Sequence, residues 1–442
     1  MIEPHNYFTA TDRQRGQRNT ILGQCVGLIA NEALYQGGIV VLLTLHLTQD
    51  PLWAIIAYNS FFMTAPANLI TAIVARPSSP KNFMLLNWRI AGVILIITGV
   101  LVLVDQYSEL PVVLILGFYC FKFISGVGTT YWFPVLQDFI PQNQRGRFFA
   151  RLRASWTLVS LLAVIGFSRF IRQNATATQF AQIIISLGLL FLLRNYFIRK
   201  LPELPYQIRE PGGKVTWKEL QRALLLNRHF RFFLLYLGVF SFTIGSLGPI
   251  LILYMKQLLQ LQDGQNITIA IIGASGAFIA YLFCGFFVDR IGSKRVFFIS
   301  QCIIAFILMI LALFSPTNRS IIYLIIISNI LIKGLQAAHG VAATSYLFHL
   351  MTGPSRPLFS ALNNVVVAIM LGLSTALSGL VIRHWASFNL TVGDVNLSIF
   401  QLIIFISGSL ALMTLPLTEF IQRGDYQLRI KNRSEIDFEM KD

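Results

Sequence analysis

Twelve apolar stretches, each long enough to cross a lipid bilayer as a helix, follow one another along the chain. Such a helix needs roughly 20 mainly apolar residues to cross about 30 Å of hydrocarbon at about 1.5 Å per residue. Only 12% of the residues are charged, against about a quarter in soluble domains. The predicted spans cover approximately residues 21–47, 52–75, 83–105, 110–137, 148–171, 178–198, 230–257, 266–288, 296–314, 319–349, 358–386 and 396–421. The sequence therefore predicts an all-α integral membrane protein with twelve transmembrane helices.

Lysines and arginines lie mainly on one side of this predicted topology. With both termini inside, the opposite side holds only Arg169, Arg172, Lys256, Arg319 and Arg383 between spans. This positive-inside bias predicts that both termini face the cytoplasm, in an inner or plasma membrane. Because loop cations face anionic lipid head groups, the net charge of +16 needs no nucleic acid to explain it. We expect a monomer in the lipid bilayer, with no nucleic-acid partner.

Several other signals are missing from the sequence. Residues 1–19 are polar and lead into a first span too long for a signal-peptide core, so we expect no cleavage. The cysteines fall inside predicted spans, which argues against a disulfide framework or a spaced zinc motif. No nucleotide-binding or hydrolase motif occurs. We therefore expect neither an enzyme nor a cofactor or metal site. The cysteines are Cys25, Cys120, Cys284 and Cys302.

The longest gap between spans, residues 199–229, divides the chain. Its first part is broken by prolines, and Thr216 with Glu219 then forms a capping-box pattern before an apolar stretch. This pattern predicts a connector with a short amphipathic helix on the membrane surface. We predict six-helix bundles over residues 1–198 and 230–422, and a cytoplasmic tail over residues 423–442.

A six-plus-six division suggests that the two halves are internal repeats. When the second half is aligned on the first by a shift of 211 positions, Lys122 of span four meets Lys333 of span ten. Lysines inside a membrane are rare, so two in register support a repeat. The same shift pairs Arg145 with Arg356, Phe148 with Phe359, and Arg172 with Arg383.

The loop between spans eight and nine has the sequence GFFVDRIGSKR, residues 285–295. Gly292 allows a tight turn between helices, and Asp289 ends a span where it can meet a neighbouring helix N-terminus and arginines. The spacing resembles the loop signature of the major facilitator superfamily. In that resemblance the cytoplasmic gate residues are Gly285, Asp289, Arg290, Gly292, Lys294 and Arg295, together with Arg145 of the first half.

The corresponding first-half loop, AIVARPSSPK at residues 72–81, departs from this signature. Ala75 stands where the aspartate would be, and Ser78 stands where the glycine would be. The resemblance therefore predicts an asymmetric gate, complete only in the second half.

Each half also carries a degenerate match to the Arg-x-x-Gln-Gly pattern of proton-coupled members of that family. Span four has Lys122, Ser125 and Gly126, and span ten has Lys333, Gln336 and Ala337. At this spacing each set lies on one helix face, which is typical of cavity linings or tight helix contacts. The Gly-rich antiporter signature is absent from span five, residues 156–168, which disfavours a multidrug antiporter.

A third intramembrane charge is Glu32, in the segment NEALYQ of span one. Glu32 lies about 18 Å from the cytoplasmic end of its predicted span and Lys122 about 17 Å from the external end of its own, hence at similar depths. Leaving such a charge unpaired costs at least about 2.5–3.5 kcal/mol. The resemblance implies that spans one, four, seven and ten line a central cavity. It places these residues around one chamber: Glu32, Gln36, Lys122, Ser125, Lys333 and Gln336.

The resemblance implies a secondary transporter that moves a small polar or anionic solute by alternating access. Proton coupling through Glu32 is one interpretation of the charges, and anion binding by the two lysines is another. A uniporter with structural charges and a transporter-like sensor are the alternatives. The segment GSLGPI, residues 245–250, predicts a break in span seven, and His339 lies on a different face of span ten from Lys333.

Overall fold

Short polar side chains mark where several helices begin. Each of five such residues accepts a hydrogen bond from a backbone N–H two or three positions further along the chain. The first N–H groups of a helix have no partner within the helix, so these side chains stabilise its start. Spans one, two, three, six and twelve begin in this way, after Thr9, Asp50, Ser79, Thr176 and Ser398.

The structure is a computed structural model. It describes residues 7–75, 77–104, 110–140, 145–171, 175–203, 228–314, 320–350, 356–385, 388–392 and 395–421. The predicted amphipathic helix around Thr216 and the predicted tail lie outside these residues. We call residues before 199 the first half and residues after 229 the second half. The end of the bundle where span one begins is the inner end, which the sequence predicts to be cytoplasmic, and the opposite end is the outer end.

The first half contains six helical spans, two of which are interrupted. Span one consists of Ala10–Asn31, a π-helix at Glu32–Gln36, and Ile39–Thr48. Span two consists of Pro51–Asn59, a 3-10 turn at Ser60–Met63, and Thr64–Val74. The other spans are Pro80–Leu103, Leu110–Thr129 continued by Trp132–Phe139, Arg145–Ile171 and Ala177–Ile198.

The second half repeats this pattern. Span seven breaks at Ser246, between Arg228–Gly245 and Leu247–Leu253, and ends in a π-helix at Tyr254–Leu258. This break lies where GSLGPI predicts it. The remaining spans are Asp263–Ile291, Ser293–Leu313, Ile321–Leu350, Arg356–His384, and Ile399–Met413 continued by a 3-10 turn at Leu415–Phe420.

Ten helices among the described residues are individually long and apolar enough to cross a membrane. The two pieces of span one, bent by 46°, make an eleventh span together. Span two is the twelfth segment and consists of shorter pieces. The predicted spans therefore correspond to the observed ones, except that span one begins at Ala10 rather than at residue 21. Its first turns are polar, and a hydropathy window does not detect helix outside the apolar stretch.

A short antiparallel hairpin precedes span twelve, with strands at Asn389–Val392 and Val395–Ser398. Asn389 pairs with Ser398, and Val392 pairs with Val395. The sequence-based prediction was all-helical, and this hairpin is an addition to it. Its signal is the alternation of polar and apolar residues around the Gly393-Asp394 pair, a combination typical of hairpins.

The apolar core shows how the halves meet. One continuous cluster joins the first half to residues near the outer end of the second half, such as Ile252 and Ile382. The inner end of the second half has a separate cluster around Phe230, Phe297 and Tyr346. The halves therefore share a core towards the outer end but not at the inner end.

Candidate functional site

Span one changes its winding at the middle of the bundle. The π-helix closes with a hydrogen bond of 2.7 Å from the Gly37 N–H to the Glu32 carbonyl, and Gly38 follows with φ of +77°. A Cβ atom on Gly38 would lie 2.5 Å from Ile252 Cδ1 of span seven. Because only glycine accommodates both the positive φ and this close approach, Gly38 fixes the crossing of spans one and seven.

The polar side chains of the π-helix lie on one face that the rest of the protein covers only in part. Its apolar residues Ala33, Leu34 and Tyr35 are fully buried, whereas Glu32 and Gln36 are only partly buried. π-Helical turns are often found at functional sites. The partly exposed polar side chains at mid-span indicate a cavity between the halves, because lipid would not solvate them.

Lys122 of span four points at this face. Its Nζ donates a hydrogen bond of 2.7 Å to Asn31 Oδ1, one residue before the π-helix. The Nζ atom also lies 5.2 Å from the ring centre of Tyr35 and 4.7 Å from that of Phe61. A buried ammonium is favoured by such cation–π contacts. The lysine is 7% exposed and is held by residues of its own half.

Lys333 of span ten reaches the same segment from the second half. Its Nζ donates a hydrogen bond of 2.6 Å to Gln36 Oε1. The Lys333 side chain is partly buried, so it is more accessible than Lys122. This bond crosses the boundary between the halves at mid-membrane.

Glu32 lies in span one between Asn31 and Gln36, the two residues to which the lysines bond. Its carboxylate interacts electrostatically with both Lys122 and Lys333. Within the described residues, however, neither amine lies within 4.0 Å of it as an ion pair. Both amines bond to neutral amide oxygens instead. With two amines and one carboxylate, the formal charge of the site is one positive charge in excess.

Two further predicted site residues lie on the same helix faces. Ser125 and Gln336 both have partly buried side chains, and the Ser125 carbonyl accepts hydrogen bonds from Trp88 Nε1 and Thr129 Oγ1. Small residues on these two helix faces pack differently in the two halves. A Cβ on Gly126 would lie 2.8 Å from the Thr64 backbone, whereas one on Gly340 would meet nothing within 4 Å. Gly126 therefore forms a tight helix contact, whereas Gly340, three residues beyond the buried Ala337, faces open space.

An aromatic cluster forms the outer wall of the site and was missed by sequence reasoning. Tyr35 packs edge-on against Tyr58 at 5.9 Å between ring centres, and its hydroxyl lies 2.7 Å from Ser60 Oγ. Phe61 and Phe62 follow, both partly exposed. The signal was present as the run YNSFF at residues 58–62. Of these rings, Tyr35 and Phe61 lie against Lys122, and Phe61 stays partly accessible.

Polar contacts also join the two halves towards the outer end. Asn59 donates to the Gly372 carbonyl at 3.3 Å and accepts a hydrogen bond from Thr375. Arg383 Nε lies 3.6 Å from Asp50 Oδ2. Further contacts join Ser168 to Thr268, and the Ala175 N–H to the Asp263 carboxylate. These contacts join the halves towards the outer end, whereas the inner end of the second half has its own core.

The predicted gate loop is partly visible in the structure. Gly292 has φ of +83° and forms the turn between spans eight and nine. Lys294 Nζ lies 2.9 Å from Glu419 Oε2 at the end of span twelve. Arg290 stacks on Phe286 at 5.3 Å, and Arg295 is exposed. The side chains of Asp289 and Arg145 lie outside the described part, as does any contact of Gly285.

The first-half loop has its own version of this contact. Lys81 Nζ lies 3.7 Å from Glu203 Oε2 just beyond span six, and Ser79 Oγ donates to the same carboxylate at 3.0 Å. Ala75 accepts a hydrogen bond of 2.6 Å from the Tyr131 hydroxyl. Each half thus links its loop to the end of its own last span by a lysine–glutamate pair. The asymmetry expected from Ala75 and Ser78 does not extend to this pair.

Each half also contains a buried polar cluster behind the site. In the second half, the Tyr236 hydroxyl lies 2.9 Å from both Gln301 Oε1 and His339 Nε2. In the first half, Arg194 lies 3.3 Å above the Trp88 ring and bonds to Gln24. His339 is therefore a packing residue that bonds to a tyrosine hydroxyl. The buried Arg194 was missed, although an arginine inside a predicted span was a visible signal.

A model of the Major Facilitator Superfamily matches residues 53–374 of the chain. The match covers more than half of the 442 residues, and the chain belongs to this superfamily. It is a multi-pass membrane transporter rather than an enzyme. No curated protein is detectably similar to the chain in sequence.

Solved transporter structures share the fold. A bacterial homologue of the iron transporter ferroportin, in an inward-facing state, is 14% identical with a TM-score of 0.65, covering 93% of this chain and 99% of that one. The nucleoside transporter NupG is 14% identical with a TM-score of 0.59, covering 92% and 98%. A bacterial homologue of the human lysosomal transporter Spinster, inward-facing and unoccupied, is 15% identical with a TM-score of 0.61, covering 94% and 95%. At these identities the likeness establishes the fold.

Proposed function

We propose that the protein is a secondary transporter that moves a small anionic solute by alternating access. One observation carries the proposal: two lysine amines converge on span one, and each is bonded to a neutral amide rather than to Glu32. An anion gains more from an ammonium than a neutral amide oxygen does, because two opposite full charges attract each other more strongly than a charge and a dipole. A bound anion would therefore replace Asn31 and Gln36 as the partner of the lysines.

The surroundings of the amines support an anion rather than a neutral solute. The site has one formal positive charge in excess, and apolar walls strengthen the field of a charge in a cavity. Phe61, partly exposed beside Lys122, offers an apolar surface for the body of the solute. The proposed solute class is thus a small organic anion with acceptor oxygens.

Alternating access is supported by the way the halves meet. Contacts such as Asp50 with Arg383 join the halves towards the outer end, while the inner end of the second half has a separate core. We propose that this is the state open to the inner end, with residues 1–198 and 230–422 as the moving bundles. The positive-inside bias supports cytoplasmic termini in the cell membrane.

The test begins with the purified full-length protein. A thermal-shift screen against organic anions, cations and neutral solutes identifies the class, and we expect stabilisation by anions. Uptake and counterflow of the best anion into proteoliposomes then separate a transporter from a sensor. Stabilisation by cations or neutral solutes alone would contradict the anion assignment. Binding without flux would identify a sensor.

Proton coupling is a second candidate, because Glu32 is partly exposed and is not directly ion-paired with either lysine among the described residues. A carboxylate in this position can exchange a proton with the cavity. If it couples transport to protons, Glu32→Gln abolishes uphill accumulation on a pH gradient but preserves downhill exchange. If Glu32 only shapes the anion site, the variant keeps accumulation and binds the anion with altered affinity. Asp12→Asn, which removes an exposed carboxylate before the membrane, is the control.

A further inference from the structure

An arginine lies on the lipid-facing side of the first half, among exposed apolar residues. Arg89 of span three is exposed, and so are its helix neighbours Leu86, Ile90 and Val93, at 56%, 42% and 46%. No described carboxylate forms an ion pair with Arg89. A charge on such a surface is costly unless it reaches a polar partner, so a polar partner for Arg89 is expected.

A second arginine converges on the same place. Arg199 follows the last residue of span six at the inner end, and its side chain is exposed. A cavity of about 450 Å³ lies between the two spans, lined by Asn82, Leu85, Leu86, Arg89 and Arg199. We call it the span three–six groove. Its lining contains two guanidinium groups, one amide and two leucines, but no acid.

We propose that the span three–six groove binds the phosphate group of an anionic phospholipid from the leaflet at the inner end. Guanidinium groups bind phosphate through paired N–H donors. The exposed stripe of Leu86, Ile90 and Val93 continues from the groove along span three and provides a surface for an acyl chain. A soluble phosphate compound would not use this stripe, so a lipid fits the groove better.

Neighbouring residues of span six strengthen the assignment. Lys200 follows Arg199, and its Nζ lies 3.7 Å from the ring centre of Tyr196, which is 57% exposed. A tyrosine beside cations is typical of the level of the lipid head groups. The groove therefore lies at the depth where a phospholipid phosphate is found.

The second half lacks this feature. Lys81 and Lys294 have equivalent roles in their loops, and aligning these two lysines, by a shift of 213 positions, places Cys302 of span nine opposite Arg89. The exposed neighbours there, Ile299 and Ile303, are apolar. A cation required by the fold itself would be expected in both halves. Its presence in one half favours a specific ligand.

Native mass spectrometry of the full-length protein tests the proposal, with phosphatidylglycerol and phosphatidylcholine as probes. We expect the wild type to retain phosphatidylglycerol preferentially. Each cation near a membrane surface contributes about 1 kcal/mol to binding anionic lipid, so Arg89→Gln with Arg199→Gln should weaken phosphatidylglycerol binding about thirtyfold. Arg231→Gln, which removes an exposed arginine at the inner end of the second half, should leave it unchanged.

Two further measurements keep the test decisive. Arg89→Lys with Arg199→Lys preserves the charge but not the paired N–H donors, so it should bind the lipid more weakly than the wild type and more strongly than the glutamine variant. If the glutamine variant does not fold, the single change Arg89→Gln should still weaken binding about fivefold. Inorganic phosphate should not displace the lipid. Equal phosphatidylglycerol binding by wild type and the glutamine variants, or displacement by inorganic phosphate, would overturn the proposal.

Discussion

The two lysines at repeat-related positions are held in different ways. Lys122 is 7% exposed, lies against aromatic rings, and bonds to Asn31 of its own half. Lys333 is partly exposed and bonds to Gln36 of the other half. The first contact can move with its bundle as a unit, whereas the second must rearrange whenever the bundles separate. We infer that Lys122 provides a fixed binding point and Lys333 senses the conformation.

The largest effect is expected from Lys122→Ala. A hydrogen bond to a charged group contributes about 1.5–3 kcal/mol, so loss of the enclosed amine should weaken anion binding up to about a hundredfold. Binding is measured by calorimetry with the anion that the thermal-shift screen selects. Lys200→Ala, which removes an exposed lysine of the same half, should bind normally. If Lys122→Ala only lowers the melting temperature, the lysine is structural.

Lys333→Ala should weaken binding less, by about tenfold, because its amine is more accessible to water. It should also shift the conformational equilibrium, since its contact with Gln36 joins the halves. Cysteine accessibility at the inner and outer ends measures this shift, and Lys122→Ala should leave the accessibility pattern unchanged. Identical accessibility changes in both variants would remove the distinction between the two lysines.

The buried polar cluster around Tyr236 allows the effect of packing on stability to be measured separately from any effect on transport. Tyr236→Phe leaves Gln301 and His339 without their shared hydroxyl, which should cost about 1–3 kcal/mol of stability. The melting temperature should fall while anion affinity stays the same. Tyr323→Phe is the control, because Tyr323 is 71% exposed. A large loss of transport at unchanged stability would show that the cluster acts in the site.

The smallest effect is expected at the outer end, from Asp50→Asn. Arg383 is 53% exposed in this ion pair, and exposed pairs contribute only about 0–1 kcal/mol. The variant should shift access slightly towards the outer end, and the shift should shrink at high salt. Labelling of an outer-end cysteine at two ionic strengths measures it. A shift as large as that of Lys333→Ala would mean that this pair, rather than the mid-membrane contact, controls opening.

Hydropathy and the rarity of charges in membranes predicted much of this molecule. The spans followed from apolar windows, and the similar depths of Glu32 and Lys122 agree with the contact between Lys122 and Asn31. The partners of the lysines were not predictable, because the π-helix that follows Asn31 and contains Gln36 has no sequence signature. Arg89 and Arg194 were visible as charges inside predicted spans, but only the structure separates a lipid-facing arginine from a buried one.

The bond between Lys333 and Gln36 has a consequence for transport kinetics. With no solute bound, this bond ties the halves together at mid-membrane, so the unloaded carrier must break it to reorient. A bound anion would take the place of Gln36 and remove that barrier from the loaded carrier. Return of the unloaded carrier then limits net flux, and solute on the far side accelerates efflux. Exchange of labelled for unlabelled anion would run faster than net movement in either direction.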